Sequence, residues 1–158
     1  MHPTIRGGFL LGAAVATWTV IMGSTGWYKQ PGFLYLFWLV IPIQVAILVH
    51  FLRLSAPRTS YGRQVWIGVG ISLLGSILIF ANSYYLTAVK LPHYFQDMEA
   101  LGRQLMAQRG LSPDQINEAI QKSAPMQTSL ATAMAGAIGT VVTGAITSAF
   151  AALWLHKK

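Results

Sequence analysis

Four long stretches of the chain contain no acidic residue, lysine or arginine, and they constrain the fold more than any other feature. They cover residues 7–27, 33–52, 65–89 and 128–155. An α-helix rises about 1.5 Å per residue, so about 20 residues suffice to cross a hydrocarbon core of about 30 Å. The sequence therefore predicts an all-α membrane protein, with four transmembrane helices in a single membrane domain over residues 1–158.

The small amount of charge and its placement agree with this prediction. Only 9% of the residues are charged, against about 25% in ordinary soluble domains. The net charge of +7 does not indicate nucleic-acid binding, because the four acids lie between Lys90 and Lys122 among compensating basic residues. The remaining basic residues flank the apolar stretches, as they do in membrane proteins. The absence of cysteine excludes disulfides and thiol chemistry.

The first apolar stretch and the basic residues predict the topology. Bulky Trp27 and Tyr28 follow the small residues 23–26, which is a poor signal-peptide cleavage site, so we expect a retained span. With the N-terminus inside, the inner segments hold six lysines and arginines in about 21 residues, and the outer segments five in about 46. The higher density inside predicts that both termini are cytoplasmic.

Residues 90–126, between the third and fourth stretches, have the pattern of an amphipathic helical hairpin. Apolar residues recur at helical spacing on one face over 93–109, and polar residues fill the other face. Gly110 predicts the end of this helix, and Ser112, Pro113 and Gln115 predict a capping box that begins a second one. The first helix has balanced charge, so we expect its apolar face to pack on the protein rather than on lipid. Residues 92–124 are the candidate contact for a membrane or periplasmic protein partner.

Small residues recur at four-residue spacing in three of the apolar stretches. Such residues let the backbones of membrane helices approach closely. The candidates for helix packing are Gly8, Gly12, Gly68, Ser72, Gly136, Thr140, Gly144 and Ser148. The first interpretation is packing within one bundle. The alternative is contact between copies in a homo-oligomer, and the fourth stretch has a second small stripe that would allow both.

Few polar side chains lie inside the apolar stretches. Gln44 and Asn82 are the candidates for intramembrane polar contacts. Hydrogen bonding between helices is the first interpretation for both, and lining a substrate path is the alternative. Pro42 predicts a kink in the second span.

No pattern in the chain indicates a catalytic, metal or cofactor site. A serine protease built on Ser72 and His50 is disfavoured, because at about 1.5 Å per residue the two lie at depths that differ by about 8 Å. The other histidines form no spaced metal-binding pair, and no span contains a carboxylate. The protein is therefore predicted not to be an enzyme.

The organisation of the chain resembles a known family. Two spans come first, Ser-Tyr-Gly-Arg-Gln (60–64) begins the third, and the insert contains Gly-Leu-Ser-Pro-Asp-Gln-Ile (110–116). The glycine-rich fourth span ends in Lys157 and Lys158. This arrangement resembles the bacterial domain-of-unknown-function family 4199, which consists of uncharacterised four-span membrane proteins, over essentially the whole chain. The resemblance implies a bacterial origin, the cytoplasmic (inner) membrane and no established activity.

The functional hypothesis is a multi-pass membrane protein without enzymatic activity. It acts through contacts with membrane lipids, with a protein partner or with further copies of itself. The alternative is a small transporter or channel subunit formed by self-association, in which Gln44, Asn82 and the Thr/Ser stripe of the fourth span line the path.

Overall fold

The computed structural model describes residues 3–156, and within this range every regular element is helical. The α-helices are α1 Pro3–Thr25, α2 Val40–Ser55, α3 Tyr61–Tyr85, α4 Tyr94–Gln108, α5 Pro113–Ser123 and α6 Ser129–His156. Two other helical segments extend them. A 3-10 helix over Pro31–Leu39 leads into α2, and a π-helix over Leu86–Lys90 continues α3. The two terminal lysines that contribute to the family resemblance, Lys157 and Lys158, lie outside the described residues.

Four helical stretches are long and apolar enough to cross a membrane. They are Pro3–Thr25, Pro31–Ser55, Tyr61–Lys90 and Ser129–Leu155. The prediction of an all-α protein with four such helices is thus confirmed. α1 and α3 begin four residues before their apolar stretches, so Arg6 and Arg63 stand in their first turns, where long basic side chains reach toward a membrane surface.

The second span changes helix type along its length. Residues 31–39 form a 3-10 helix, and α-helical geometry begins only at Val40, so Pro42 stands in the first turn of α2. Proline lacks an N–H, and its ring collides with the carbonyl four residues earlier, which disfavours an α-helix continuing through it. The distortion therefore lies N-terminal to Pro42. The Trp18 indole donates to the Leu36 carbonyl at 3.0 Å and holds this segment on α1.

α3 is the central helix of the bundle. It packs extensively against α1 and α6, whereas α2 contacts α1 and α6 more than it contacts α3. α1 runs parallel to α3, and α6 runs antiparallel to it. The core consists of aliphatic side chains from α1, α2 and α3, with Leu11, Val15, Leu48, Ile71 and Ile79 buried. The bundle therefore depends on α3, which contributes residues to two close helix interfaces.

α4 and α5 lie between α3 and α6 in the chain, and we call the end of the bundle that carries them the insert end. Gly110, with φ +82°, follows α4, and a left-handed conformation there favours glycine. α5 begins with a capping box, in which the Ser112 N–H donates to Gln115 Oε1 at 2.9 Å and the Gln115 N–H to Ser112 Oγ at 3.4 Å. The Arg103 guanidinium of α4 donates to the Asn117 amide oxygen of α5 at 2.8 Å. Each helix buries one apolar residue, Leu101 and Ile116 respectively.

Candidate functional site

α3 and α6 approach each other closely at four small residues, which we call the small-residue interface. Gly68 lies opposite Ser148, and Gly144 lies opposite Ser72. A Cβ atom added to either glycine would overlap the hydroxyl of the facing serine. The Ser72 hydroxyl donates to the carbonyl four residues earlier in its own helix at 3.0 Å, and the Ser148 hydroxyl does the same at 2.6 Å. This part of the bundle leaves no room for a larger side chain.

The two other predicted packing residues of α6 lie beyond this interface. Thr140 is buried, and its hydroxyl donates to the Gly136 carbonyl at 2.8 Å. A Cβ atom on Gly136 would lie 3.8 Å from the side chain of Ile79, which is an ordinary contact distance. Close approach of the helices therefore does not require glycine at 136. Instead, this residue borders a cavity.

A second close interface joins α1 and α3. Cβ atoms added to Gly8 and Gly12 would lie only 2.5 Å and 2.7 Å from leucine Cβ atoms of α3. Gly75 belongs to the same interface, since its Cβ atom would lie 2.9 Å from Leu11. Gly75 is not among the predicted packing residues, because it lies off the four-residue stripe of α3. Its spacing of seven residues from Gly68 was the signal that could have found it.

The two predicted polar residues of the spans form hydrogen bonds between helices. Gln44 of α2 is 2% exposed, and its amide donates to the Thr140 carbonyl of α6 at 2.6 Å. The absence of a side chain at Gly144 provides the space, because a Cβ atom there would lie 3.1 Å from the Gln44 amide nitrogen. The Asn82 amide of α3 donates to the Thr19 hydroxyl of α1 at 2.8 Å. Both amides thus join neighbouring helices.

Ser72 and His50 do not form a nucleophile–base pair. The Ser72 hydroxyl is buried in the small-residue interface and bonded to its own backbone. His50 is exposed on α2, with its ring edge-on to Phe51 at 5.4 Å between centroids. Among residues 3–156, no group of three histidine, cysteine, aspartate or glutamate residues is placed to hold a metal ion.

At the insert end, a polar cluster attaches α4 to the connection between the first two spans. Asp97 Oδ2 accepts a hydrogen bond from the Tyr28 hydroxyl at 2.8 Å and pairs with Lys29 Nζ at 2.8 Å. We call these three residues the Asp97 cluster. Tyr28 is 2% exposed, and its ring lies 5.2 Å from the ring of Tyr94, the first residue of α4. The sequence gives no signal for this cluster, because its members come from distant parts of the chain.

The contacts within the Asp97 cluster shift pKa values in directions that favour the ion pair. Hydrogen bonds from Lys29 and then from Tyr28 lower the pKa of the Asp97 carboxyl. The same hydrogen bond to Asp97 raises the pKa of Lys29. Burial and then the hydrogen bond to Asp97 raise the pKa of Tyr28. At neutral pH the cluster therefore consists of a carboxylate, an ammonium and a phenol that donates its proton.

A cavity of about 210 Å³ lies next to this cluster. Its walls come from α1, the Trp27–Lys29 and Pro31–Leu39 segments, the end of α3, the start of α4 and the first turns of α6. Tyr28 and Tyr94 line its side nearest α4, while Thr19 and Gly136 line it deeper in the bundle. None of the described lining residues carries a charged side chain. The cavity therefore suits an uncharged and largely apolar group.

The wall contributed by the end of α3 departs from α-helical geometry. The Leu91 N–H donates to the Leu86 carbonyl five residues earlier at 2.8 Å, which makes Leu86–Lys90 a π-helical turn. Leu86 and Thr87 are buried in this turn and line the cavity. π-Helical turns are rare in proteins overall, and those that occur are often found at functional sites.

Hydroxyl groups supply the polar part of the cavity wall. The Thr87 hydroxyl donates to the Ser83 carbonyl at 2.9 Å, and the Thr19 hydroxyl accepts from Asn82. Within the described part of the chain, the side-chain hydroxyls of Ser83 and Thr132 have no hydrogen-bond partner. These two groups, from α3 and α6, are available to a ligand in the cavity.

Comparison with known proteins gives a family and no activity. The family described as Protein of unknown function (DUF4199) matches residues 6–157, which is nearly the whole chain. This confirms the family resemblance derived from the sequence. No curated protein and no solved structure matches the chain.

Proposed function

This chain belongs to the DUF4199 family, and we propose that it is a non-enzymatic multi-pass protein of the bacterial cytoplasmic membrane that acts by binding lipid or a protein partner. Binding is favoured over catalysis or conduction because polar side chains inside the bundle already form hydrogen bonds within it. Gln44 and Asn82 bond to neighbouring helices, and Ser72 and Ser148 bond to their own backbone.

These bonds matter because transport and catalysis in a membrane require polar groups that can exchange partners. Proton relays and ion paths in spans usually contain ionisable residues, and the four acids of this chain all lie between residues 97 and 118. The small-residue interface also packs α3 against α6 too closely for a side chain, as its two glycines demonstrate. A single copy is therefore suited to a closed bundle that binds at its surface and at its insert end.

The proposed orientation has both termini and the connection over 53–64 in the cytoplasm, with α4 and α5 outside. It rests on the higher density of lysine and arginine in the segments assigned to the cytoplasm. Residues 53–64, which run from the last turn of α2 to the first turn of α3, alone hold Arg53, Arg58 and Arg63. The acids, in contrast, are confined to the segment assigned to the outside.

Reporter fusions test this orientation directly. A fusion after Lys158 should report the cytoplasm, and an insertion of the same reporter within residues 102–111 should report the periplasm. Both reporters on one side, or a periplasmic C-terminus, would contradict the topology.

Flux measurements test the proposed function. Purified protein in liposomes should give no proton, potassium or anion flux above that of protein-free liposomes. Protein-dependent flux that changes with Gln44→Ala or Asn82→Ala would overturn the proposal and favour a transporter or channel formed by self-association. Gln108→Ala, outside the spans, is the matched control and should have no effect in either case.

A further inference from the structure

We propose that the cavity at the insert end binds an acyl chain of a membrane lipid, whose uncharged ester carbonyl accepts hydrogen bonds from Ser83 and Thr132. This names a partner for the binding function proposed above and rests on that function. It narrows the binding at the insert end to one defined site, with a ligand of stated chemistry.

The size and lining of the cavity support an apolar chain. Its volume of about 210 Å³ exceeds the roughly 150 Å³ at which an engineered apolar cavity binds benzene. Leu86, Leu91 and Phe37 provide apolar walls, and no charged side chain is among the described lining residues. An ionised head group would lose its hydration there without gaining a partner. An aliphatic chain carries no hydration that it would lose on leaving the bilayer for such a wall.

The position of the two unpartnered hydroxyls supports an ester group. At about 1.5 Å per residue, Thr132 lies about 5 Å from the first residue of α6, and Ser83 lies about 10 Å from the end of the π-helix. The Tyr61–Lys90 stretch has 30 residues, so at about 45 Å it is longer than a hydrocarbon core of about 30 Å, and this excess at its ends brings both hydroxyls near the boundary between the core and the polar region of a bilayer. Ester carbonyls lie at this boundary and can only accept hydrogen bonds, and hydroxyls can donate them.

The packing around the cavity favours access from the bilayer over access from water. The Pro31–Leu39 segment and α6 both line the cavity but make little contact with each other. On the side nearest α4, by contrast, the rings of Tyr28 and Tyr94 pack against each other in a tilted arrangement, and the Asp97 cluster holds α4 in place. A chain can therefore enter sideways between the second and fourth spans.

Two glycines of α6 provide a matched pair of variants. A Cβ atom on Gly136 would lie 3.8 Å from Ile79, so a leucine at 136 starts without a clash and extends into the cavity. A Cβ atom on Gly139 would meet nothing within 4 Å. Gly136→Leu fills the cavity, whereas Gly139→Leu makes the same chemical change on an open face.

Photo-crosslinking in nanodiscs tests the proposal. The bilayer contains phosphatidylethanolamine and phosphatidylglycerol with a small fraction of phosphatidylethanolamine that carries a diazirine on one acyl chain. Mass spectrometry should find adducts concentrated in residues 83–91 and 132–136. Gly136→Leu should lower these adducts by about tenfold because the chain no longer fits, and Gly139→Leu should leave them unchanged. Ser83→Ala combined with Thr132→Ala should lower them by about fivefold through the loss of hydrogen bonds.

Several results would overturn the proposal. One is labelling spread evenly over exposed apolar residues such as Trp66 and Phe150; another is an equal effect of the two leucine variants. Labelling of the cavity by a water-soluble octanol diazirine, with none by the lipid probe, would reject a bilayer source. Thermal unfolding of each variant shows whether it is folded, and Thr132→Leu replaces Gly136→Leu if the latter does not fold. Cavity labelling together with protein-dependent flux would retain the lipid site and reject the proposed function.

Discussion

The two halves of α3 differ in how much space their neighbours leave beside them. In the first half, Gly68 and Ser72 pack against α6 so closely that neither helix admits a further side chain, and the serine hydroxyl is bonded to its own backbone. At the end of the second half, beyond the contact of Gly75 with α1, the helix continues into a π-helical turn beside a cavity, and the Ser83 hydroxyl has no partner among the described residues.

This difference assigns stability to one part of the protein, the small-residue interface, and ligand binding to another, the insert end. Close packing of small residues is what holds helices together in lipid, where burial of apolar surface gives no advantage. It also leaves no volume for a ligand. At the insert end the bundle retains volume, and α4 is held by the buried Leu101 side chain and by a few polar and aromatic contacts, those of Tyr28, Lys29, Tyr94 and Asp97. The small-residue interface should therefore tolerate little change, and the insert end should open without unfolding the spans.

The largest effect is expected from Gly144→Leu in the small-residue interface. The new side chain would overlap the Ser72 hydroxyl and crowd the Gln44 amide, so α3 and α6 must separate. Overpacking typically costs about 1–3 kcal/mol, and here we expect the free energy of unfolding to fall by at least about 3 kcal/mol because two neighbours are displaced. Thermal unfolding in detergent measures the change.

Leu153→Ala is the control for this variant. Leu153 is on the same helix but is 49% exposed, so its truncation should change the free energy of unfolding by less than about 0.5 kcal/mol. If Gly144→Leu were tolerated as well as Leu153→Ala, this stripe of α6 would face lipid and the contrast between the two halves of α3 would disappear.

A smaller and more local effect is expected from Leu101→Asp in α4. Leu101 is 5% exposed, and a carboxylate there would lose its hydration without a partner. Hydrogen-exchange protection of residues 94–106 should fall by about tenfold or more, while the spans keep theirs, because α4 can open as a local unit. Ala107→Asp adds the same charge at an exposed position of the same helix, away from the Asp97 cluster, and should have little effect.

The same measurement distinguishes contact with the protein from contact with lipid. If α4 packs on the bundle, its protection should be equal in detergent and in nanodiscs. Protection that appears only in nanodiscs would mean that α4 lies on the membrane surface. The insert end would then differ from the small-residue interface by its lipid contacts rather than by looser packing.

A feature of this structure can be predicted from the sequence when the residues that determine it are close together in the chain. The four spans depend on stretches of about 20 apolar residues, and the capping box at Ser112 depends on four consecutive residues, so both can be read locally. Spacing along one helix also identifies Gly68 and Gly144 as small. It does not identify which serine each glycine faces, because that pairing depends on the register between α3 and α6.

The contacts that join the insert to the spans were the least predictable part for the same reason. Tyr28 and Lys29 look like ordinary residues at a membrane boundary, and Asp97 looks like one acid on the polar face of an amphipathic helix. Only the fold brings them together. The cavity likewise has no local signal, since six separate segments of the chain contribute to its wall.

The smallest expected effect is the pH dependence of the Asp97 cluster. Hydrogen bonds from Lys29 and Tyr28 lower the pKa of Asp97 in the folded protein, below the ordinary value of about 3.9. A lowered folded-state pKa contributes stability that is fully present above the ordinary pKa and is lost as the pH falls through the lowered value. The contribution is small because the side chains of Lys29 and Asp97 are 52% and 25% exposed, and solvent screens the pair.

The thermal unfolding temperature of Asp97→Asn in detergent should therefore be slightly below that of the wild type at pH 7, and the difference should shrink below about pH 4. Salt at about 1 M should also reduce it, because the pair is screened. Asp114→Asn, outside the cluster, is the control and should show no such pH dependence. A difference for Asp97→Asn that stays constant from pH 7 to pH 3 would mean that the ion pair does not attach α4, and that ring packing between Tyr28 and Tyr94 holds it instead.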